Sequence, residues 1–306
     1  MTPPEATPAP VRPLRIAFIG AGVMGRSMAG HLLSAGHRVV VHTRTRSRAE
    51  ELLSRGAAWA EDPAQAAEGS EVAISMVGLP SDVRDVHLGP RGTLAARKPP
   101  PLIIDMTTSS PALAREIAEA AARCGSAALD APVSGGDVGA RAAKLSIMVG
   151  GDAAAFEGAR PIMALMGTTI VHHGSAGAGQ YAKLVNQVLV AASMVGVSEA
   201  LAFASAAGLD PHKVLESVSP GAAGSWTLSN LAPRILRGDM APGFRVEHLV
   251  KDLRIASEEA RSRGLGLPGL ELADRLYEAL RASGGGSLGT QALAPFVAER
   301  AADGNR

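Results

Sequence analysis

The sequence predicts a doubly wound, mostly parallel α/β domain followed by an all-helical domain. Three observations carry that expectation. Short β-branched runs alternate with helical segments over the first half, a glycine-rich turn joins the first run to the first helix, and beyond about residue 176 nearly every stretch repeats with helical periodicity. The expected division is a disordered tail over 1–13, an α/β domain over 14–175 and a helical domain over 176–302.

The tail carries Pro3, Pro4, Pro8 and Pro10, with neither a basic start nor an apolar centre. It reads as an extended segment and not as a secretory signal. Structure is expected to begin at Arg15–Ile19, an apolar run suited to a strand buried on both faces. Gly20-Ala21-Gly22-Val23-Met24-Gly25 follows, then a helix through Met28, Leu32 and Leu33 that stops near Gly36, then a second strand over Arg38–His42. A bare GxGxxG is a weak signal. Set between a strand and a helix, with a second strand within about 30 residues, it is the Rossmann dinucleotide fingerprint. The first glycine permits the tight turn, the second lets backbone approach a pyrophosphate, and the third lets helix and strand pack closely. The helix N-terminus attracts the anion. Gly20, Gly22, Val23, Met24 and Gly25 are therefore candidate cofactor contacts.

The end of the second strand chooses between dinucleotides. An NAD site usually places an acid there for the ribose hydroxyls. Here Thr43-Arg44-Thr45-Arg46-Ser47-Arg48 offers no acid before Glu50. Arg44 suits a 2′-phosphate, with hydroxyls from Thr43 and Thr45, so NADP is favoured over NAD. The plain alternative is a solvated basic turn.

Val72–Val77 reads as a strand that opens into Gly78–Asp82, and Leu102–Met106 as another that leads to a helix with Ser110 as N-cap and Pro111 in its first turn. Ligands of such sheets sit beyond the carboxyl ends of strands, which makes Val77, Gly78 and Thr108 candidate cofactor contacts. The strand starting at Ala127 ends in Ser134-Gly135-Gly136. Its backbone N–H groups and the Ser134 hydroxyl suit a carboxylate, although a tight turn alone would also call for glycine. Strands over 145–149 and 169–173 finish this half, with His172 and His173 on opposite faces. The eight histidines show no metal-ligand spacing, and no metal is expected.

The second half opens with a long helix from about Gly179 to Ala207. Lys183, Asn186 and Gln187 fall at i, i+3 and i+4 and so share one helical face. They form either a cationic proton donor beside two amides or a solvated polar stripe. Asp210 caps the next helix at Pro211, and helical patterns return at 228–237, 248–263, 270–282 and 290–301. Trp226 is a candidate for a pocket wall, a core or an interface. Lys251-Asp252-Leu253 opens a helical run and by itself reads as an exposed charge pair.

Composition narrows the classes. The chain of 306 residues is 46% hydrophobic and 19% charged, an ordinary globular balance, with only 3% aromatics. A net charge of +1 argues against nucleic acid or an acidic membrane as partner. Cys124, the single cysteine, excludes an internal disulfide, is expected as a small core residue and suits the cytoplasm. No uninterrupted apolar run reaches the length of a transmembrane helix.

Four separated motifs now stand in order: Gly20–Gly25, Asp130–Gly136, Lys183–Gln187 and Lys251–Leu253. In order and spacing they resemble the β-hydroxyacid dehydrogenase family over about residues 14–300. Relatives include 3-hydroxyisobutyrate dehydrogenase and the tartronate, glyoxylate and succinic semialdehyde reductases. The resemblance implies a Rossmann domain, a long interdomain helix, a helical domain supporting a homodimer or homotetramer, and an active site between the domains. It implies that Lys183 is the catalytic lysine, that Ser134, Gly135 and Gly136 bind the substrate carboxylate, and that Asn186 and Gln187 are the polar pair after the lysine. Many relatives carry Asn where this chain has Gln187. Lys251 matches a lysine that contacts the cofactor, and Thr108 a threonine near the nicotinamide ribose. Thr43 stands where NADP-preferring relatives have Asn. Gly78-Leu79-Pro80 departs from the loop of 3-hydroxyisobutyrate dehydrogenases and leaves the substrate open.

The expected reaction is hydride transfer between a nicotinamide cofactor and a small β-hydroxyacid or its semialdehyde or keto acid, with Lys183 as general acid and base. Burial would lower the Lys183 pKa and bound phosphates would raise it. Three rivals stand beside this reading, one of them a purely structural helical oligomer, which would have no need of the glycine fingerprint. An imine reductase shares the fold, but Lys183 counts against it. A non-catalytic NADP-binding scaffold would have no need of Lys183 and the Ser134–Gly136 loop. Phosphogluconate dehydrogenases are set aside because their chains are much longer at the helical end.

Overall fold

A computed structural model describes residues 12–303. Of the expected tail, all but Arg12 and Pro13 lie outside the described residues, and Arg12 pairs with Glu71. The chain divides into two compact units, one up to Tyr181 and one from Ala182 onward.

The first unit runs β1 (Arg15–Ile19), α1 (Val23–Ser34), β2 (Arg38–His42), α2 (Glu50–Ser54), β3 (Ala58–Trp59), α3 (Pro63–Ala67), β4 (Val72–Ser75), α4 (Pro80–Leu88), β5 (Leu102–Asp105) and α5 (Pro111–Arg123). It continues with β6 (Ala127–Asp130), β7 (Val133–Ser134), α6 (Gly136–Arg141), β8 (Leu145–Gly150), α7 (Ala153–Met163) and β9 (Gly167–Gly174). Nine strands form one sheet in the order β3-β2-β1-β4-β5-β6-β8-β7, with β9 pairing β8. From β3 to β6 all pairs are parallel, whereas β8 meets β6 and β7 antiparallel. Burial on both faces explains the unbroken apolar strands. Ile16, Phe18, Val39, Val41 and Ile74 belong to one buried cluster, and their neighbours Ala17, Ile19, Val40 and Ala73 to another, as alternation across a sheet requires. Each fully buried Ile or Phe contributes about 1.5–3 kcal/mol.

The Ser110 cap stands as expected: its side chain accepts from the Leu113 amide at 3.1 Å. The short elements α2, β3, α3 and α6 were not foreseen, because two to six residues carry too little periodicity to register. Cys124 corrects its expectation. It is exposed at the C-cap of α5, where the chain leaves the helix for Gly125.

The helix α8 (Ala178–Ala206) starts in the first unit and continues into the second, which adds α9 (Pro211–Val218), α10 (Trp226–Asn230), α11 (Ala232–Leu236), α12 (Val246–Ser262), α13 (Pro268–Ala282) and α14 (Leu293–Asp303). Asp210 caps α9 by accepting from the His212 amide at 2.9 Å. Tyr277 is fully buried, and its hydroxyl donates to the Thr290 carbonyl at 3.0 Å. Because α12 begins at Val246, Lys251-Asp252-Leu253 lies inside a helix and does not open one. With 29 residues and a most apolar stretch of mean hydropathy 1.8, α8 is long and apolar enough to cross a bilayer by length and composition. Ser193, Ser198 and Glu199 interrupt the apolar run without bringing its average below that level, so no unbroken apolar run marks it in the sequence. Trp226 stands 62% exposed at the start of α10.

Candidate active site

The glycine turn has the geometry of a phosphate cradle. Gly20 lies at φ +103°, and a Cβ built on it would stand 2.2 Å from the Met76 carbonyl oxygen, so no side chain fits there. A Cβ on Gly25 would meet the Gly20 carbonyl oxygen at 1.9 Å, which is the close packing the third glycine permits. Around Gly22 a Cβ would meet nothing within 4 Å, leaving the backbone open to a ligand. No side chain caps α1, whose first amides at Val23 and Met24 are the ones an anion would bind. These residues fit a dinucleotide pyrophosphate.

Two stretches of this unit that carry other cofactor candidates flank the turn, one after β2 and one after β4. The Gly20 amide donates to the His42 carbonyl at 2.8 Å, which ties the turn to the end of β2. Thr43 beyond it is buried, while Arg44 and Thr45 are exposed. Arg44 Nη1 lies 3.0 Å from Asp82 Oδ1, so an acid does reach this loop, from α4 and not from the adjacent sequence. Arg46 stacks on Trp59, 5.1 Å from the ring centre. At the end of β4, Val77 comes within 3.1 Å of the Cβ position of Gly20, and its amide donates to Thr107 Oγ1 at 3.0 Å. Gly78 and Thr108 are half-buried beside them. Ser134 pairs with Ser146 across β7 and β8, and Gly135 and Gly136 hold φ of +126° and +62°, a region L side chains avoid.

Asp130 and Gln180 were missed from sequence. The Asp130 carboxylate accepts from the Gly177 and Gln180 amides at 2.7 and 2.9 Å, capping the start of α8 from 50 residues away. Gln180 in turn accepts from the Ser109 amide and donates to the Thr107 carbonyl, both at 2.8 Å. No local pattern announces such a cap.

In the second unit, α8 presents Lys183 and Gln187 inward, 6% and 1% exposed, with Asn186 half-buried. The solvated-stripe reading therefore fails. Asn186 donates to Gln187 Oε1 at 2.8 Å, and Gln187 donates to Asp252 Oδ2 at 2.5 Å. Lys251 Nζ stands 2.7 Å from the other Asp252 oxygen. Burial draws the Lys183 pKa down to about 8; Asp252 opposes that shift and Lys251 adds to it. An amine that titrates near working pH serves as both acid and base. Two further cavities of about 250 and 410 Å³ in this unit are lined by α12–α13 and α9–α11 residues and contain none of the predicted site residues. Among the described residues, no cluster of His, Cys, Asp and Glu is placed to hold a metal.

A glycine cradle on a parallel sheet, followed by a helical unit with a buried lysine of lowered pKa, defines a nicotinamide-dinucleotide oxidoreductase. Comparison with known proteins makes the class specific. Residues 15–174 match the profile described as the NAD binding domain of 6-phosphogluconate dehydrogenase, and 177–297 the one described as NAD-binding of NADP-dependent 3-hydroxyisobutyrate dehydrogenase. An uncharacterised oxidoreductase of Bacillus subtilis is 52% identical over 91% of this chain and 96% of its own. The 3-hydroxyisobutyrate dehydrogenase of Pseudomonas aeruginosa is 42% identical over 86% and 90%, and the 2-hydroxy-3-oxopropionate reductase of Escherichia coli 39% over 92% and 96%. Among solved structures, the Mycobacterium tuberculosis 3-hydroxyisobutyrate dehydrogenase with L-serine superposes at TM-score 0.84 with 31% identity, covering 93% of this chain and 99% of its own. Psf3 in complex with NADP+ and 2-OPP superposes at 0.85 with 26% identity, covering 92% and 99%. An imine reductase of Streptomyces aurantiacus shares the fold at 0.62 with 24% identity, covering 92% and 98%. The chain belongs to the β-hydroxyacid dehydrogenase family. It is an oxidoreductase that uses a nicotinamide cofactor.

Proposed function

We propose that this protein reduces a small semialdehyde or keto acid to the β-hydroxyacid, and runs the reverse, with NADP as the favoured cofactor. The carrying observation is the burial of Lys183 on the α8 face that also carries Gln187, itself bonded to Asp252, and burial draws the amine's pKa down to about 8. When bound, the nicotinamide supplies or accepts the hydride at the carbon bearing the oxygen. Ser134, Gly135 and Gly136 hold the substrate carboxylate. Lys183 hands its proton to the oxygen as the alkoxide forms, and takes it back in the oxidising direction. Asn186 and Gln187 share the helical face of the amine, Asn186 donating to Gln187 and Gln187 to Asp252, and form the polar wall beside it.

The preference for NADP is supported by Arg44, whose side chain is 82% exposed even while paired with Asp82, and by the absence of an acid on its own loop. A homodimer or homotetramer is supported by the apolar surface that α8 leaves open, since only 33% of its most apolar stretch is buried within the chain.

The test is a panel of hydroxyacids and semialdehydes read by absorbance of the reduced nicotinamide, each acid beside its methyl ester and each with both cofactors. Acids are expected to exceed esters, and Ser134→Ala to weaken substrate binding by about 1–3 kcal/mol. Equal rates on acid and ester would remove the carboxylate from this assignment, and NAD preference at both low and high salt would remove the Arg44 reading.

A further inference from the structure

Four buried polar side chains of the first unit have no part in the reaction above: Thr93, His87, Ser75 and Asp105, each 5% exposed or less. Ser75 and Asp105 end β4 and β5, His87 lies in the last turn of α4, and Thr93 opens the 3-10 turn that follows. Chemistry fixes the direction of every bond. Ser75 donates its hydroxyl to Asp105 Oδ1 at 2.7 Å, so its oxygen is left to accept from His87 Nε2 at 2.9 Å. With the ring proton on Nε2, Nδ1 accepts from the Thr93 hydroxyl at 2.9 Å. Burial keeps the ring neutral by lowering the His87 pKa to about 4. A neutral imidazole, one donor and one acceptor, is the species this row requires.

Stability alone does not call for such a row, since apolar side chains of matching shape serve as well in a core. What the row holds is the backbone beyond the strands. The Thr107 amide donates to Asp105 Oδ1 at 3.2 Å, and its hydroxyl also turns to Asp105 while accepting from the Val77 amide at 3.0 Å. One carboxylate thus sets the loop after β5 and, through Thr107, the loop after β4. Val77 and Gly78 stand on one, Thr108 on the other.

We propose that the row Thr93–His87–Ser75–Asp105 is a positioning device for the dinucleotide, holding the two loops in the shape that receives it. The proposal rests on the reading of Val77, Gly78 and Thr108 as cofactor contacts. All four are positioning residues, because each acts through Thr107 and the loops and none touches the reacting atoms.

Thr93 offers the cleanest test, being farthest along the row from the loops. Thr93→Val keeps the shape and removes the hydroxyl; Thr93→Ser keeps the hydroxyl. Ser75→Ala breaks the row at its centre, and Thr108→Val reports on the loop itself. For each folded variant the dissociation constant of NADPH, kcat, both KM values and the melting temperature are measured. Ser75→Ala and Thr93→Val are expected to raise Kd and KM for the dinucleotide about five- to twentyfold, the scale of one buried hydrogen bond. Saturated kcat and the hydroxyacid KM stay within twofold, and Thr93→Ser binds like the parent. A lowered melting temperature with unchanged Kd in Ser75→Ala and Thr93→Val would make the row merely structural and overturn the proposal. Should Ser75→Ala fail to fold, the Thr93 pair decides alone. If Thr108→Val also leaves Kd unchanged, the cofactor reading of these loops falls with the proposal; if Thr108→Val alone weakens binding, only the positioning role falls.

Discussion

Lys183 answers two opposed demands. The unfolded chain keeps its proton up to about 10.5, the folded chain only up to about 8, so the unfolded state binds more protons between those values. Stability therefore rises as pH climbs through that window, and below it the buried ammonium costs the fold its full penalty. The gap between 10.5 and 8 corresponds to at most about 3 kcal/mol. Lys183→Met should consequently melt a few degrees higher at pH 7 while turnover falls about 10²–10⁴-fold. Turnover within threefold of the parent would remove Lys183 as the proton carrier. In the parent, reduction should decline above pH 8 and oxidation should rise there, and a pH-rate profile flat from 7 to 10 would contradict the assignment. A second residue works on cofactor choice. Asp82 holds Arg44 and also accepts from the Leu79 amide at 3.1 Å. Asp82→Asn retains an acceptor for that amide but removes the negative charge beside the 2′-phosphate position. The ratio of kcat/KM for NADP over NAD is expected to rise several-fold, most at low salt. A falling ratio would mean that Asp82 presents Arg44 to the phosphate and does not compete with it.

At the scale of elements, the glycine turn separates packing from binding within six residues. Gly25→Ala puts a methyl 1.9 Å from the Gly20 carbonyl and should destabilise the first unit strongly, by several kcal/mol. Gly22→Ala meets nothing and should fold normally, yet lose dinucleotide affinity at least tenfold as the methyl fills the ligand's place. Melting curves and dinucleotide titrations on both variants check this; equal melting losses would mean the turn is only structural. This strand-turn-helix was legible because its requirements are local: a buried run, glycines, then a 3.6-residue period. The row from Thr93 to Asp105 and the capping of α8 by Asp130 were not. Their partners sit up to 50 residues apart, and a buried Ser, His or Asp leaves no periodic trace. The Asp82–Arg44 pair escaped for the same reason: the acid sought next to Arg44 in sequence arrives from another helix.

At the scale of the whole molecule, α8 leaves Val185, Leu189 and Phe203 exposed by 63%, 64% and 75% along one face. A second copy of the chain is the expected cover. Leu189→Glu with Phe203→Glu should shift the mass measured by light scattering toward the monomer and leave dinucleotide binding in place; an unchanged oligomer would assign that face elsewhere. The sequence did reveal the order of the two units, since strands cease where α8 begins. It misjudged Cys124, because a lone small apolar residue is compatible with both core and surface.

The seam between the units falls at Tyr181 and Ala182, inside α8 and not in a loop. That placement limits how this family could be shuffled. Hybrids that join the front half of one relative to the back half of another must be spliced within a helix, where gain or loss of a single residue swings Lys183 by about 100° around the axis from Gln180. Loops forgive such errors and helices do not. Recombination at this seam should succeed between parents aligned without a gap from Ala178 to Gln187, and yield folded but inactive chains otherwise.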